Sequence, residues 1–314
     1  MARAIVYTEF GSPDVLHLSE VPDPIAGTGE VVVRIEAAGV NPIDAKLRSG
    51  RRRSKTITEP RAVGFDGAGV IDSIGEDVEG FAVGDRVAIR DTVGTYASHL
   101  VVRPKNLAPL PDSVTAFEGA SIGIPSGTAY QSLRSLGVTA GDTLLLHAGS
   151  GAVGQAAIQF AVAWGATVVA TASPERHDQL RELGAIPVAY GDGLVERVRE
   201  AAPGPITVAL DCAGTDEAIQ ASLDLVADRE RIATIVRGAD AAGFGIRAFA
   251  GGSPDPLTEQ EIAWRAEALP KTIELLAAGD FVIEFGPELP LAEAPRAHEL
   301  VESASSRGKI ILVP

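Results

Sequence analysis

The residues Gly149-Ser150-Gly151-Ala152-Val153-Gly154 have the G-x-G-x-x-G spacing, in which backbone N–H groups at the head of a helix cradle a pyrophosphate. The first glycine is expected to permit a tight turn, the second to let backbone approach the phosphates, and the third to let helix and strand pack closely. Thirty-four glycines in 314 residues make this spacing weak evidence alone, so the flanks decide. Thr143 to His147 is an apolar, strand-like run, Ala152 to Trp164 is Ala-rich and helical in character, Gly165 ends it, and Thr167 to Thr171 is a second buried-strand run. Together they form a βαβ unit of the expected size of about 30 residues. The reading is a dinucleotide site, with a glycine loop serving packing alone as its competitor.

The end of the second strand indicates which dinucleotide. An NAD site usually places Asp or Glu about 20 residues after the first glycine, on the adenosine ribose. Here the chain reads Thr171-Ala172-Ser173-Pro174-Glu175-Arg176-His177. A Ser hydroxyl and an Arg guanidinium suit the 2′-phosphate of NADP. Ser173 also reads as a helix N-cap with Pro174 at the first helical position, and both roles are compatible because helix starts attract anions.

A second constellation lies upstream, where Ala38-Gly39-Val40-Asn41-Pro42-Ile43-Asp44 ends a strand in a Pro-fixed turn and leaves two polar side chains at its exit. On local grounds Asn41 and Asp44 are turn residues, since Asn-Pro is a common turn dipeptide. Tyr96, His99 and Tyr130 are further candidate donors, although aromatic and His side chains in a β domain are more often packed. The single cysteine, Cys212, excludes an intrachain disulfide and a multi-cysteine zinc cluster, and reads as a buried thiol.

These residues must be positioned by a large core, which 46% hydrophobic content supports. A net charge of −15 argues against nucleic acid or anionic lipid as partner. The basic run Arg51-Arg52-Arg53-Ser54-Lys55 reads as a solvated loop, with contact to an anionic cofactor or substrate as its alternative. No signal-peptide pattern and no run of about 18 apolar residues appears, so the expected location is cytoplasmic.

From residue 1 to about 115 short β runs alternate with Gly and Pro: Ala2 to Val6, Val15 to Leu18, Val31 to Glu36, Ala68 to Ile71, and Arg86 to Ile89. The composition shifts near Thr115, and a domain boundary is expected between Asp112 and Phe117. Beyond the glycine loop helices and strands alternate: helices over Glu175 to Gly184, Leu194 to Ala202 and Glu217 to Val226, strands over Ile186 to Ala189, Ile206 to Leu210 and Arg231 to Val236, and a last or edge strand over Gly243 to Phe249. After Gly251 to Pro256 a helix is expected from Leu257 to Ala278, kinked or split at Pro270. Strands over Phe281 to Phe285 and Lys309 to Val313 then flank a helix that includes Arg296 to Ser303.

In the order of its motifs the chain resembles the zinc-independent branch of the medium-chain dehydrogenases/reductases, the quinone oxidoreductase or zeta-crystallin-like proteins. The matching stretches are Gly39 to Asp44, Gly64-Phe65-Asp66-Gly67-Ala68-Gly69, Val83 to Val87, Gly94 to Ala97, Gly127-Thr128-Ala129-Tyr130, Gly141-Asp142 with the glycine loop, and Arg307-Gly308-Lys309-Ile310-Ile311. The resemblance implies an α/β chain: a GroES-like β-barrel domain (residues 1–115), a doubly wound Rossmann domain with a parallel sheet that binds NADP(H) (116–256), and a linking helix and return to the first domain (257–314). It places the active site in the interdomain cleft. Asn41 and Thr128 are implied near the nicotinamide, Tyr190 beside the adenosine phosphate with Ser173 and Arg176, and Val236, Arg237 and Gly238 along the nicotinamide half through backbone groups. Zinc-dependent relatives carry Cys at the place of Asn41, His-Glu at the place of Phe65-Asp66, and a four-cysteine lobe missing after Val87, so no metal is expected.

The function expected is hydride transfer from NADPH to a quinone or α,β-unsaturated carbonyl, with Asn41 orienting nicotinamide or substrate and Asp44 supporting its turn. The alternative is a non-catalytic NADPH-binding sensor or structural protein. A homodimer is expected, because Gly243 to Phe249 is hydrophobic enough to be a poor free edge.

Overall fold

The computed structural model describes residues 1–52, 55–249 and 255–314. Arg53 and Ser54 of the basic run, and residues 250–254 of the expected Gly/Pro loop, lie outside the described residues. The chain divides into two units, one formed by Met1–Ile124 with Leu269–Pro314 and the other by Pro125–Ala268.

Unit 1 is built on β1 (Ala2–Tyr7), β2 (His17–Val21), β3 (Val31–Gly39), α1 (Pro42–Arg48), β4 (Arg61–Ala62), β5 (Asp66–Ile74), β6 (Arg86–Ile89), β7 (His99–Val102) and β8 (Leu107–Pro109). The helix α2 (Ala116–Ser135) begins in this unit. β3 alternates inward Val31, Val33 and Ile35 with polar Arg34 and Glu36, the period-two pattern of a strand with one face on a core. Those side chains pack with Ile5, Ile71, Val87, Ile89, Ile310 and Leu312 into one apolar cluster.

Unit 2 opens after Pro125 and contains β9 (Thr143–His147), α3 (Ala152–Ala163), β10 (Thr167–Ala172), α4 (His177–Glu182), β11 (Ile186–Ala189), α5 (Leu194–Ala201), β12 (Val208–Asp211), α6 (Asp216–Leu225), β13 (Ile232–Thr234), α7 (Gly238–Phe244) and β14 (Arg247–Ala248). The order across its sheet is β11-β10-β9-β12-β13-β14, every pair parallel. That is the doubly wound 3-2-1-4-5-6 order of dinucleotide-binding sheets. β9 lies on both sides of the reversal and is buried throughout, as a strand covered on both faces must be.

The chain returns to unit 1 within α8 (Glu259–Ala278) and ends with β15 (Phe285–Pro290), α9 (Ala294–Glu302) and β16 (Lys309–Val313). β16 pairs antiparallel with β3, completing a seven-stranded sheet with β15, β5, β6, β7 and β8. Several expectations are corrected. Strand structure begins at Phe285 where it was expected to end, and Phe281 to Glu284 precede it. Gly243 and Phe244 close a helix, and only Arg247 and Ala248 form the edge strand. Pro270 leaves α8 one helix, and the unit boundary falls inside α2 at Pro125 instead of near residue 115.

Candidate dinucleotide site and the polar cluster of unit 1

The glycine loop leaves β9 at its carboxyl end, and β10 holds it in place. Thr171 receives the Ala148 N–H on its hydroxyl at 3.2 Å and the Gly149 N–H on its carbonyl at 2.9 Å. Gln155, on the first turn of α3, donates to the Ser150 carbonyl at 2.7 Å and braces the loop from the helix side. His147 lies buried beneath, with Nε2 3.1 Å from the Ser222 hydroxyl. Burial lowers its pKa to about 4, against a smaller opposing effect of Asp211, so the imidazole is neutral near pH 7.

The three glycines divide the work differently from expectation. The left-handed turn residue is Ala148, at φ 57°, whereas Gly149 has an ordinary φ and is small because a Cβ there would stand 2.8 Å from the Ala170 Cβ. At Gly154 a Cβ would stand 2.3 Å from the Ala148 carbonyl oxygen, so α3 packs on the loop only without one. Gly151 is the exposed member, and a Cβ there would meet nothing nearer than 3.6 Å. The loop is therefore open at Gly151, with Ala152 exposed and Ser150 and Val153 half-buried beside it. The twelve-residue helix α3 starts at this opening, and the first N–H groups of a helix have no carbonyl partner within it.

The other ends of the parallel strands complete the carboxyl edge of the sheet. Ala172 pairs in register with Ala189, so Ser173 and Tyr190, each one residue further on, stand level. Ser173 is half-buried and makes no capping bond, Pro174 follows it at the first helical position, Arg176 is half-buried one turn on, and Tyr190 is 59% exposed. On the other side of β9, the buried Asp211 receives the Ala213 and Gly214 N–H groups at 2.9 and 2.8 Å and the Thr234 hydroxyl at 2.7 Å. Thr234 in turn accepts the Val236 and Arg237 N–H groups. The loops after β9 and β12 lead to opposite sides of the sheet, the switch point at which open α/β sheets hold ligands.

This arrangement qualifies the backbone role expected of Val236 to Gly238, because two of those N–H groups are already given to Thr234. The Arg237 guanidinium is held by Asp216 and Asp240 at 2.7 and 2.6 Å, and Gly238 is the buried first residue of α7. Thr128 is 5% exposed and accepts from Arg265 at 3.3 Å. Tyr130 donates to Glu267, with its pKa raised to about 12 by burial and then by that carboxylate. Cys212 follows Asp211, and burial pushes its thiol pKa up.

In unit 1 the exit of β3 gathers a buried polar cluster. Gly39 pairs with Asp66 on β5 and with Ile311 on β16, which brings Asn41, Asp66 and Lys309 together. The Asn41 amide donates to Asp66 Oδ2 at 2.9 Å and to the Gly39 carbonyl at 3.3 Å, and its oxygen accepts from Lys309 Nζ at 2.5 Å. Lys309 also pairs with Asp66 at 3.3 Å, and Asp66 Oδ1 takes the Ile124 N–H at 2.8 Å. Asn41 is 2% exposed. Both N–H groups of its amide are given to Asp66 and to the Gly39 carbonyl.

Asp44 takes the turn-supporting role expected of it and has a further feature. Its Oδ2 accepts the Asn41 N–H and the Tyr96 hydroxyl, both at 2.9 Å, and its buried Oδ1 has no partner. Burial raises its pKa to about 7; the Asn41 and Tyr96 bonds and Lys309 oppose this, and Asp66 adds to it. Tyr96 is thus a committed donor, and His99 sits half-buried beside Ser98. The spacing did not reveal Asp66 and Lys309 as a pair, because 243 residues separate them.

Comparison with known proteins fits this picture. The model of the alcohol dehydrogenase GroES-like domain matches residues 27–112, and that of the zinc-binding dehydrogenase matches residues 152–251. A quinone oxidoreductase of Sus scrofa is 33% identical over 100% of this chain and 98% of that protein. The chain belongs to the quinone oxidoreductase family of medium-chain dehydrogenases/reductases. The human quinone oxidoreductase aligns over a shorter stretch, 38% identical across 57% of this chain and 55% of that protein. Escherichia coli quinone oxidoreductase, solved in complex with NADPH, superposes with TM-score 0.84 at 26% identity over 100% of both chains. An NAD-dependent alcohol dehydrogenase superposes with TM-score 0.84 at 30% identity over 99% of both. The stretch matched to the zinc-binding model contains one cysteine and one histidine, and among the described residues no group of three His, Cys, Asp or Glu side chains is placed to hold a metal ion. Among the described residues no helix is long and apolar enough to cross a membrane.

Proposed function

We propose that the protein is an NADPH-dependent reductase that transfers a hydride to a quinone or an α,β-unsaturated carbonyl without zinc. One observation carries the reading. The glycine loop, open at Gly151, shares the carboxyl edge of a 3-2-1-4-5-6 sheet with a strand end that presents Ser173 and Arg176, and β10 itself contains no carboxylate. The loop N–H groups and the start of α3 would bind the pyrophosphate, Ser173, Arg176 and Tyr190 the adenosine phosphate, and Thr128 with Val236 to Gly238 the nicotinamide half, the loop through the groups that Thr234 leaves. When bound, NADPH supplies the hydride.

The acceptor class follows from the side chains at the metal-binding places of zinc-dependent relatives. Reduction of an isolated ketone builds charge on a basic alkoxide, which those relatives stabilise by Lewis-acid coordination. Here Asn41 and Phe65-Asp66 occupy those places, and the Asn41 amide and Asp66 are bound to each other and to Lys309. A quinone or enone instead spreads the incoming charge into a phenolate or enolate, which a few oriented donors can stabilise. The test is NADPH oxidation with quinones, enones and simple alcohols or ketones, with and without a chelator. Turnover of the conjugated acceptors, unaffected by the chelator, is expected. Chelator-sensitive activity on simple alcohols would overturn the reading, and cofactor binding with no turnover would favour the non-catalytic alternative.

A further inference from the structure

Behind the glycine loop, and wholly within unit 2, a buried row of side chains joins β10, β9 and α6. The loop turns at Ala148, whose φ of 57° is a left-handed conformation that a Cβ makes costly. Such a conformation persists only where its surroundings over-determine it. Here the surroundings are Thr171 on β10, which accepts the Ala148 N–H on its hydroxyl at 3.2 Å and the Gly149 N–H on its carbonyl at 2.9 Å.

Thr171 is 2% exposed, and the side-chain acceptor beside its hydroxyl is His147 Nδ1 on β9, 3.5 Å away. Across the ring, Nε2 is 3.1 Å from the Ser222 hydroxyl of α6, and that hydroxyl donates to the Ala218 carbonyl at 2.9 Å. Ser222 has one proton and has given it away, so towards Nε2 it can only accept. Burial keeps the imidazole neutral near pH 7, with one N–H and one lone pair. The N–H is therefore on Nε2 and the lone pair on Nδ1, towards Thr171. Every donor in the row then has its acceptor: Ala148 N–H to Thr171, Thr171 O–H to His147, His147 N–H to Ser222, and Ser222 O–H to Ala218. The other tautomer would set the Nε2 lone pair against a hydroxyl without a free proton and take the acceptor from Thr171, and buried groups left unpaired in this way are costly. The charged neighbour, Asp211 on β12, is turned to the Ala213 and Gly214 N–H groups and the Thr234 hydroxyl, so the His147 nitrogens are left to Thr171 and Ser222.

We propose that His147, as its Nε2–H tautomer, is a positioning residue for the dinucleotide: through Thr171 it holds the left-handed turn at Ala148, and with it the opening at Gly151, in the shape that takes the pyrophosphate. The inference rests on the reading of this loop as the NADPH site. His147 itself touches no cofactor; it acts through a hydroxyl that would otherwise be free to turn away from the loop.

The test is calorimetric titration of NADPH, and of 2′-AMP, which carries the 2′-phosphate without the pyrophosphate, into wild type and the variants His147→Asn, His147→Gln and His147→Leu. Asn places an amide oxygen where Nδ1 stands and keeps the acceptor for Thr171, Gln reaches the place of Nε2 instead, and Leu offers neither. His147→Asn should bind NADPH within about twofold of wild type, and the Gln and Leu variants about tenfold more weakly, the weight of one hydrogen bond. Affinity for 2′-AMP should be the same in all of them. A packing role would rank the variants by size, with Gln ahead of Asn. NADPH affinity in His147→Gln equal to or above that in His147→Asn, or an equal loss of both ligands, would overturn the proposal and leave the NADPH reading standing. Should the variants fail to fold, the wild type still decides. With nitrogen-15 in the imidazoles of its five histidines, the assigned His147 signals should be those of the Nε2–H tautomer near neutral pH, and an Nδ1–H tautomer or an imidazolium would overturn the proposal. A wild type that binds neither NADPH nor 2′-AMP would refute the dinucleotide reading and the role of His147 with it.

Discussion

At Arg176 the choice between two cofactors that differ by one phosphate comes down to one guanidinium. Ser173 spends no hydroxyl on capping, and Arg176 follows one turn later at the end of β10. Arg176→Ala should weaken NADPH by about 1.5–3 kcal/mol, the value of a hydrogen bond to a charged group, and NADH far less, as measured by titration calorimetry with each. Equal losses would assign Arg176 no phosphate. In unit 1 the corresponding test is Lys309, 3% exposed against an Asp66 that is 1% exposed. Removing one partner of a buried pair costs about 3–5 kcal/mol, so Lys309→Met should lose that much stability in urea unfolding near pH 8. The loss should shrink in acid, where Asp66 can protonate. A loss that does not change with pH would place the cost in packing. The sequence made Asn41 and Asp44 visible because Asn-Pro marks a turn, and the Arg307-to-Ile311 match marked the stretch containing Lys309. Nothing local in either stretch tells that β3, with β5 on one side and β16 on the other, will bring them together.

At the scale of the element, legibility followed apolar continuity. Thr143–His147, Arg86–Ile89 and Lys309–Val313 are strands with the bounds that their sequence implies, each a short run rich in β-branched or large apolar residues. The helices containing Pro125 and Pro270 were hard to delimit, because proline argues locally for a break that the surrounding turns override. The Gly243 to Phe249 run differs from its expected strand for a related reason. Its small residues are compatible with either state, and α7 takes the first two before β14 begins. The glycine loop is legible as a pattern, whereas the division of labour within it depends on how Ala148 and Ala170 pack against it. That division is testable as a pair. Gly154→Ala places a methyl 2.3 Å from a backbone oxygen and should cost about 1–3 kcal/mol in thermal or urea unfolding, as overpacking does. Gly151→Ala makes only an ordinary contact, 3.6 Å from the Ala148 carbonyl oxygen, and should leave stability nearly unchanged while weakening NADPH. If both variants lost stability equally, Gly151 would be a packing residue and the loop would lose its opening.

For the molecule as a whole, the argument for a homodimer through a long hydrophobic edge weakens, because β14 is a two-residue strand and short edges are one way sheets avoid pairing. The dimer remains a proposal to be read from light scattering at micromolar concentration, where a monomeric mass would reject it. Stability against pH is set by buried titratable groups. His147 and His298 have pKa values lowered by burial to about 4 and about 3. Between those values and the unfolded value near 6.5 the unfolded chain binds more protons, so their contribution is present above about pH 6.5 and is lost as pH falls through 4 to 3. Asp44 has the opposite sign. Its pKa is raised from 3.8 to about 7, so in that window the folded state binds the extra proton. Its contribution is therefore complete below about pH 4 and is lost as pH rises through 7. The two trends confine maximal stability to the mildly acidic range. Asp44→Asn keeps an acceptor for Asn41 and Tyr96 and removes the titration. Relative to wild type it should gain stability steadily from pH 4 to pH 7, approaching a tenfold change in the folding constant per pH unit, and the difference should level off above pH 8. Urea unfolding of both proteins across that range checks this, and a stability difference constant with pH would show that Asp44 keeps an ordinary carboxylate pKa in the fold.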